Sequence, residues 1–287
     1  MRAGVFLLDK PEGRSSAKAL AQLKAKLDLE KVGHCGTLDP MATGLLVCVF
    51  GRATRLAHFV EAGTKIYSGR IRFGIETDSD DISGNILRES SALPEFEQVK
   101  ALAKNFTGEI EQIPPKISAV KVNGERAYKL ARLGEEISLK SRRVRIDEFR
   151  IEPHDAASVN FRLVCSKGTY VRSIARDLGA LLGCGGCLES LRREGSSPFS
   201  VSSAKAIEDI SFDDALPVEA LLPSAHALSV SSDIFNLLTH GDERGLRQLQ
   251  QQLEVIPEQI IYRETDSNLS AGLLVRDGDR LVFGCNF

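Results

Sequence analysis

Short apolar runs and one helical repeat organise the first thirty residues. Residues 5–8 are all apolar and predict a short buried strand, and residues 9–13 predict a turn because Pro fixes φ and Gly permits chain reversal. Ser15 or Ser16 can then cap a helix that runs to about Leu29. The predicted core face of this helix consists of Ala19, Leu20, Leu23 and Leu27, which recur at helical spacing.

A glycine-punctuated loop over residues 33–44 separates this helix from an apolar run at residues 45–50. Residues 67–73 then alternate like a half-buried strand, and residues 77–84 form an acidic turn that ends at a glycine. A helix is predicted over residues 96–106.

Residues 113–145 are rich in Lys, Arg, Pro and Gly and carry only a short helical pattern near residues 126–133. A segment of this length with little regular structure is typical of a functional loop, so we predict a long basic insertion. Strands near residues 144–151 and 159–165 and a helix near residues 170–182 follow it. The elements alternate without a regular βαβ repeat, which favours an α+β fold.

Beyond Pro223 the chain becomes acidic and short strand patterns dominate. Strands are predicted near residues 255–256, 259–263, 272–275 and 280–283. We therefore predict a large domain over residues 1–223 and a small β-rich C-terminal domain over residues 224–287.

Composition indicates an ordinary globular protein. The 287 residues are 43% hydrophobic and 26% charged. The longest uninterrupted apolar stretch, residues 45–50, is far short of the roughly 20 residues that span a bilayer, and the start of the chain lacks the core of a signal peptide. Because the six cysteines have no regular spacing, we expect a reducing compartment, the cytoplasm, and no disulfides. We also expect a monomer.

The formal net charge of −2 hides an asymmetry along the chain. Residues 205–287 hold 6 Lys and Arg against 14 Asp and Glu, whereas residues 114–176 hold 14 basic against 7 acidic residues. A basic excess of this kind is either solvated surface charge or the footprint of phosphate binding.

Two segments are candidates for chemistry. Asp39 precedes Pro40 within the glycine-rich loop, where its carboxylate is held in a defined backbone as a structural turn or as a reactive group. Arg172 follows a predicted strand-to-helix junction and either pairs with a buried carboxylate or lies on the helix surface. Spacing alone leaves both alternatives open.

Cys184 and Cys187 form a CxxC pair, which in isolation suggests a redox or zinc half-site. No second pair of this kind accompanies it in the sequence. We therefore expect structural thiols and no bound metal.

Seven motifs in chain order resemble the TruB family of tRNA pseudouridine-55 synthases along residues 5–200. The family's catalytic-loop pattern, GHxGTLDPxATG, matches residues 33–44, and its KGTYIR pattern matches residues 167–172. The other matches are LDKPxGxxS from residue 8, KxY at 65–67, TDTxDxxG at 77–84, PPxYSAxKxxG at 114–124 and LRR at 191–193. Any one of them is weak evidence, but seven in register are strong.

The resemblance implies a pseudouridine-synthase fold, in which helices and loops flank a central mixed, largely antiparallel sheet. It implies isomerisation of one uridine in the T loop of tRNA, at position 55, without a cofactor or a metal. It also implies that the C-terminal domain is a diverged PUA domain, a small RNA-binding β-barrel.

Carried over residue by residue, the resemblance assigns Asp39 as the catalytic carboxylate, Arg172 as its ion-pair partner and Tyr67 as the ring stacked on the target uracil. Two further residues, Tyr170 and Leu191, would wall the pocket, and His34 would occupy the gap left in the RNA stack. With the tRNA T stem-loop as the partner, the predicted phosphate-binding residues of the basic insertion are Lys121, Arg126, Arg132 and Arg143.

Among the departures of the chain from the family pattern, Ile117 replaces Tyr, Cys187 replaces His and Glu194 replaces Thr. Two other functions stay open, a tRNA-binding or folding chaperone of the same fold and a synthase acting on another RNA. A glycoside hydrolase typically uses two carboxylates, and a second one is not obvious in the sequence.

Overall fold

A computed structural model describes residues 3–118, 120–122, 124–127, 130, 133, 138–265 and 270–286. Within these ranges the chain forms an α+β fold built on a nine-stranded sheet. Its strands are β1 (Gly4–Lys10), β2 (Val32–His34), β3 (Thr43–Phe50), β4 (Lys65–Phe73), β7 (Gly108–Gln112), β10 (Arg142–Asp155), β11 (Ser158–Cys165), β12 (Gly186–Ser196) and β13 (Phe199–Ser200). Two small hairpins complete this part of the fold, formed by β5 (Ile75–Thr77) with β6 (Ile86–Glu89) and β8 (Lys121–Val122) with β9 (Glu125–Arg126).

The main strands lie in the order β1-β3-β12-β4-β11-β10-β7, with β2 on β3 and β13 on β12. β12 runs parallel to β3, and the other pairings are antiparallel, so the predicted mixed, largely antiparallel sheet is confirmed. The helices of this part are α1 (Ser16–Lys26), α2 (Ala57–Ala62), α3 (Phe96–Ala103) and α4 (Val171–Leu181). Short 3-10 turns span Gly51–Leu56, Lys104–Phe106, Val201–Ser203, Phe212–Asp214 and Val218–Leu221.

One hydrophobic core fills the space between the sheet and helices α1, α3 and α4. Helix α1 begins as predicted, because the Ser15 side chain accepts a hydrogen bond from the Lys18 amide, and it ends at Lys26 rather than near Leu29. Buried Ala19 and Leu23 face this core.

The predicted turn at residues 9–13 begins later in the structure. Asp9 and Lys10 continue strand β1 and pair with Leu45 and Gly44. The sequence pattern was misleading here because charged residues at the end of a strand resemble a turn when the partner strand lies far away in sequence.

Strand β12 was not predicted, although it lies near the middle of the sheet. Two register shifts, at Leu188/Ser190 and Arg193/Gly195, interrupt the alternation on which strand prediction depends. The buried Arg193 reads from sequence as a surface residue.

The C-terminal part is a four-stranded sheet with two helices. Its strands, in the order β14-β15-β16-β17, are β14 (His226–Val230), β15 (Gln259–Glu264), β16 (Ser270–Asp277) and β17 (Arg280–Asn286). The helices α5 (Ser232–Thr239) and α6 (Glu243–Gln251) were not predicted, and the predicted strand at residues 255–256 is wrong. A second hydrophobic core, which includes Ile261 and Leu273, joins this sheet to strands β1 and β3.

Candidate active site

The loop that carries Asp39, residues 35–42, connects β2 to β3 and is pinned at several points. Ser16 Oγ donates to the Leu38 carbonyl at 2.9 Å and accepts from the Leu38 amide at 2.8 Å. The Gly13 amide donates to the Pro40 carbonyl at 2.8 Å. These contacts hold the backbone on both sides of Asp39 against helix α1 and the end of strand β1.

Glycine at position 44 lets the chain leave this loop beside β12. Gly44 has φ of +96°, and a Cβ there would clash with the Arg193 backbone. The Arg193 side chain donates to the Leu45 carbonyl at 2.7 Å and to the Gly36 carbonyl at 3.1 Å. The Arg193 side chain of the LRR segment therefore holds the loop through backbone carbonyls on both sides of Asp39.

Asp39 and Arg172 form an ion pair, as predicted. Arg172 Nη2 donates to Asp39 Oδ1 at 3.1 Å, and Arg172 Nε lies 2.9 Å from Asp39 Oδ2 without hydrogen-bond alignment. The Arg172 side chain is 5% exposed, whereas that of Asp39 is 34% exposed. The carboxylate thus keeps an open side while its partner is buried.

Arg172 is held by the acidic turn at residues 77–84 as well as by Asp39. Its Nη1 donates to the Ser79 carbonyl at 2.7 Å and lies 3.5 Å from Asp81 Oδ2, and its Nη2 donates to the Ile117 carbonyl at 3.0 Å. A second carboxylate, which was not obvious in the sequence, therefore lies close to the ion pair. Asp81 escaped sequence reasoning because 91 positions separate it from Arg172 and its turn reads as exposed acid.

The carboxylates and the arginine make a site with excess negative charge. Desolvation raises the pKa of Asp39 above its ordinary value; the Arg172 charge opposes this rise, and the Asp81 charge adds to it. Lys10 contributes a compensating positive charge, and its own pKa is lowered by burial to about 8. Its Nζ donates to the Pro11 and Arg14 carbonyls at 2.8 Å and 2.7 Å.

A cleft of about 1420 Å³ opens above Asp39. The predicted stacking ring, Tyr67, and the predicted wall residues Tyr170 and Leu191 all line it, together with Arg143. Its volume exceeds the ~300–1,000 Å³ typical of small-molecule pockets and suits a larger substrate.

Tyr67 lies on β4 opposite Arg193 of β12 and is 9% exposed. Burial raises the pKa of its phenol, so the ring is neutral. Tyr170 precedes helix α4, and the Arg142 guanidinium lies 5.3 Å from its ring centroid. Two aromatic faces therefore border the cleft near the Asp39 carboxylate.

His34 lies on β2 and is absent from the described residues that line the cleft. Burial lowers the pKa of its imidazole, and its Nδ1 has no hydrogen-bond partner among the described residues. Its predicted insertion into an RNA stack stays a prediction.

The structure describes the four predicted phosphate-binding residues of the insertion to different extents. Arg143 lines the cleft, and Arg126 is exposed on β9. Arg132 and the side chain of Lys121 lie outside the described residues, as does half of the helical pattern predicted at 126–133.

In addition to Lys10, sequence reasoning missed two buried cations beside the site. Lys65, at 6% exposure, donates to three backbone carbonyls at the end of α2, and Arg193, at 1% exposure, holds the Asp39 loop. The available signal was their place in the matched KxY and LRR motifs.

All six cysteines are free thiols, and both Cys184 and Cys187 are buried. Among the described residues there is no group of three or more His, Cys, Asp and Glu that could hold a metal ion. In the same part of the chain, none of the helices has the length and apolar character needed to cross a membrane.

Comparisons with known proteins point in one direction. Residues 24–171 match the family model described as TruB family pseudouridylate synthase, N-terminal domain. The chain is 43% identical over 240 residues to tRNA pseudouridine synthase B of Francisella tularensis subsp. novicida, a match covering 82% of this chain and 78% of that protein. Its identity to tRNA pseudouridine synthase B of Francisella philomiragia subsp. philomiragia is 42%, with the same coverage.

The fold is similar to that of two solved assemblies. One is the crystal structure of a Cbf5-Nop10-Gar1 complex, with a TM-score of 0.69 at 22% identity. The other is an H/ACA RNP bound to a substrate RNA containing 2'-deoxyuridine, with a TM-score of 0.69 at 20% identity. Both matches cover 99% of this chain and 84% of the solved chain.

Proposed function

Because this chain belongs to the TruB family of pseudouridylate synthases, we propose that it isomerises a uridine of tRNA to pseudouridine and that its target is position 55 in the T loop. The observation that carries the proposal is the Asp39 carboxylate, paired with buried Arg172 on one side and open to an aromatic-walled cleft on the other. Asp39, Tyr67 and Arg172 are the proposed catalytic residues.

The isomerisation breaks the bond between N1 of uracil and C1′ of the ribose and forms a bond between C5 and C1′. The ionised Asp39 carboxylate assists cleavage beside the ribose, and the freed uracil rotates inside the enclosed pocket before it rejoins. The hydrogen on C5 leaves as a proton and N1 regains one, so atoms and electrons balance without an oxidant or a cofactor.

The target base must first leave the RNA stack, at a cost of a few kcal/mol. Stacking on an aromatic ring returns about 1–3 kcal/mol per base, and Tyr67 on the cleft wall is the proposed platform. Tyr170 and Leu191 close the pocket around the base, and His34 is proposed to fill the gap that the base leaves.

Asp81 does not make the site a glycosidase. It is 4% exposed, and its Oδ1 accepts hydrogen bonds from Ser79 Oγ at 3.0 Å and from the Ser83 amide at 3.0 Å. A general acid needs access to the leaving group, and this carboxylate is committed to the turn and to Arg172. The proposed role of Asp81 is electrostatic: its charge acts on Arg172, the ion-pair partner of Asp39.

The position in tRNA is tested with a T-arm hairpin and a full tRNA transcript. We expect pseudouridine at position 55 in both, and no product when that uridine is replaced by cytidine. Mapping pseudouridine by reverse transcription after carbodiimide treatment makes the measurement. Product at another uridine, with position 55 unmodified, would contradict the proposed target.

The basic insertion, residues 113–145, is proposed to bind phosphates of the T stem-loop. A combined alanine variant of Lys121, Arg126, Arg132 and Arg143 is expected to bind the hairpin more weakly, with a flatter dependence of log Kd on log salt. Each lost phosphate contact should reduce the slope by about 0.7–0.9. Filter binding between 50 and 300 mM salt measures it, and an unchanged slope would contradict the assignment.

We place the tRNA against residues 1–223 and propose that residues 224–287 form a separate, diverged PUA-like domain. The acidic balance of residues 205–287 supports a minor role for this part in phosphate binding. We further propose that the protein acts as a monomer in the cytoplasm, to which six free thiols are suited.

A further inference from the structure

Helix α4 carries a second arginine, Arg176, one turn after Arg172. Its Nη1 donates to Asp80 Oδ2 at 2.9 Å, and its Nη2 donates to the Ile113 carbonyl at 2.9 Å. Its Nε donates to Asp177 Oδ1 at 2.8 Å. This guanidinium therefore ties the acidic turn, residues 77–84, to the start of the basic insertion.

The base of the insertion, residues 112–117, is hereafter the hinge segment, and it is bound to the start of α4 at both ends. At one end Gln112 exchanges two hydrogen bonds with the Tyr170 backbone, at 2.7 Å and 3.0 Å. At the other end Arg172 Nη2 donates to the Ile117 carbonyl at 3.0 Å. A displacement of the hinge segment would therefore reach Arg172 directly.

Two side chains of α4 donate hydrogen bonds to the Ile113 carbonyl, near the start of the hinge segment. Besides the bond from Arg176, the Ile113 carbonyl accepts a hydrogen bond from Ser173 Oγ at 2.8 Å. The Ile113 side chain is itself 52% exposed, so apolar packing contributes little to its position. Polar contacts from α4 fix the backbone there.

Arg176 also stabilises the acidic turn through its ion pair with Asp80. Asp80 has φ of +60°, a left-handed conformation that residues other than Gly rarely adopt. Its side chain is 13% exposed, and desolvation raises the pKa of its carboxyl while the Arg176 charge opposes this rise. The neighbouring residue, Asp81, contacts Arg172, so the position of Asp80 also bears on the ion pair at Asp39.

Arg172 and Arg176 thus hold the same two segments, the acidic turn and the hinge segment, from successive turns of one helix. We propose that Arg176 is a positioning residue for the isomerisation: with Asp80 it clamps the hinge segment to the acidic turn, so that Arg172 stays aligned on Asp39 while the basic insertion engages RNA. This inference rests on the proposed function of the site.

The clamp is not implied by the family pattern that the chain matches. Asp80 stands at the variable position of TDTxDxxG, and Arg176 follows the end of KGTYIR. The matched motifs therefore do not specify the pair.

Replacement of Arg176 by Gln is expected to slow single-turnover conversion of the T-arm hairpin by about ten- to a hundredfold, because small displacements of catalytic groups carry costs of this size. The Kd for the hairpin should change by less than about threefold, since the reaction step and not phosphate binding is affected. The melting temperature should fall by at most about 4 °C, because the ion pair is partly exposed.

Asp80→Asn should give the same pattern, and the double variant should be no slower than the slower single one, because both residues act through one clamp. Arg176→Lys should fall between wild type and Arg176→Gln, since lysine can reach Asp80 or the Ile113 carbonyl but not both. The matched control is Arg88→Gln, which breaks the exposed 2.6 Å Arg88–Glu76 pair and should leave the rate unchanged.

Hydrogen exchange gives a readout independent of activity. In Arg176→Gln, amides of the hinge segment and of the acidic turn should both exchange faster, whereas Arg88→Gln should leave the hinge segment unchanged. If the wild type forms no pseudouridine, the proposed function fails, while exchange still tests the clamp. A wild-type rate in Arg176→Gln, or a rate loss matched by an equal loss of RNA affinity, would overturn the inference.

Discussion

Asp39→Asn is expected to fold and to bind the T-arm hairpin with nearly wild-type affinity, yet to lose turnover by at least about a thousandfold, which corresponds to ~4 kcal/mol of transition-state stabilisation. The substitution keeps the shape of the side chain and removes its charge. Asp81 remains beside Arg172, so the arginine stays paired in the variant. Binding affinity and single-turnover rates measured on the same preparation separate the two effects.

The matched control for this experiment is Asp155→Asn, which makes the same chemical change at the end of β10. Asp155 accepts a hydrogen bond from the Ala157 amide and is absent from the cleft lining that the structure describes. Its variant should turn over at the wild-type rate. Substantial activity in Asp39→Asn would refute the role assigned to the carboxylate.

Arg172→Lys is expected to lower the single-turnover rate constant by about a hundredfold with little change in hairpin affinity, because a lysine is a point charge without the planar fork of arginine. Arg172 contacts Asp39, Asp81 and the Ser79 and Ile117 carbonyls at the same time. One ammonium group cannot reach all four. The Asp39 carboxylate would then keep a cation nearby but lose its fixed orientation.

Arg172→Lys separates the effect of the positive charge at this position from the effect of the planar guanidinium geometry. If only the charge mattered, Arg172→Lys would retain most of the activity. Near-normal turnover would therefore contradict the geometric role of the arginine. The control is Arg88→Lys, because exposed Arg88 contacts a single carboxylate, that of Glu76. This variant should show no change in turnover.

The ion pair at Asp39 could be predicted because both partners lie in motifs whose residue types are locally constrained. The glycines of the loop at 33–44 are visible in the sequence, and the structure shows that Gly44 passes close to the Arg193 backbone. The motif resemblance then joined two segments that spacing alone left unconnected. The mixed, largely antiparallel sheet and the family were confirmed on this basis.

Asp81, Lys10 and Arg193 could not be recognised in the same way. Each is a charged residue that the folded chain buries, and local patterns assign such residues to the surface. Strand β12 escaped for a related reason, since its register shifts remove the alternation that marks a strand.

The two C-terminal helices show a different limit. Helix α6 places Leu246 and Leu249 against the sheet among polar residues, and its few apolar positions are too sparse to predict a helix. Packing against helix α5 and strand β17, and not the helix's own pattern, accounts for its position.

The central claim, that Asp39 drives an isomerisation at C5 of uracil, is tested most directly by tritium release. A T-arm hairpin labelled with tritium at C5 of its target uridine is incubated with wild type or with Asp39→Asn, in EDTA and without added nucleotide or reductant. We predict that wild type releases one label to water per pseudouridine formed and that Asp39→Asn releases none above background. Free uracil that retains its label beside an abasic ribose, or no release by folded wild type that binds the hairpin, would contradict the account.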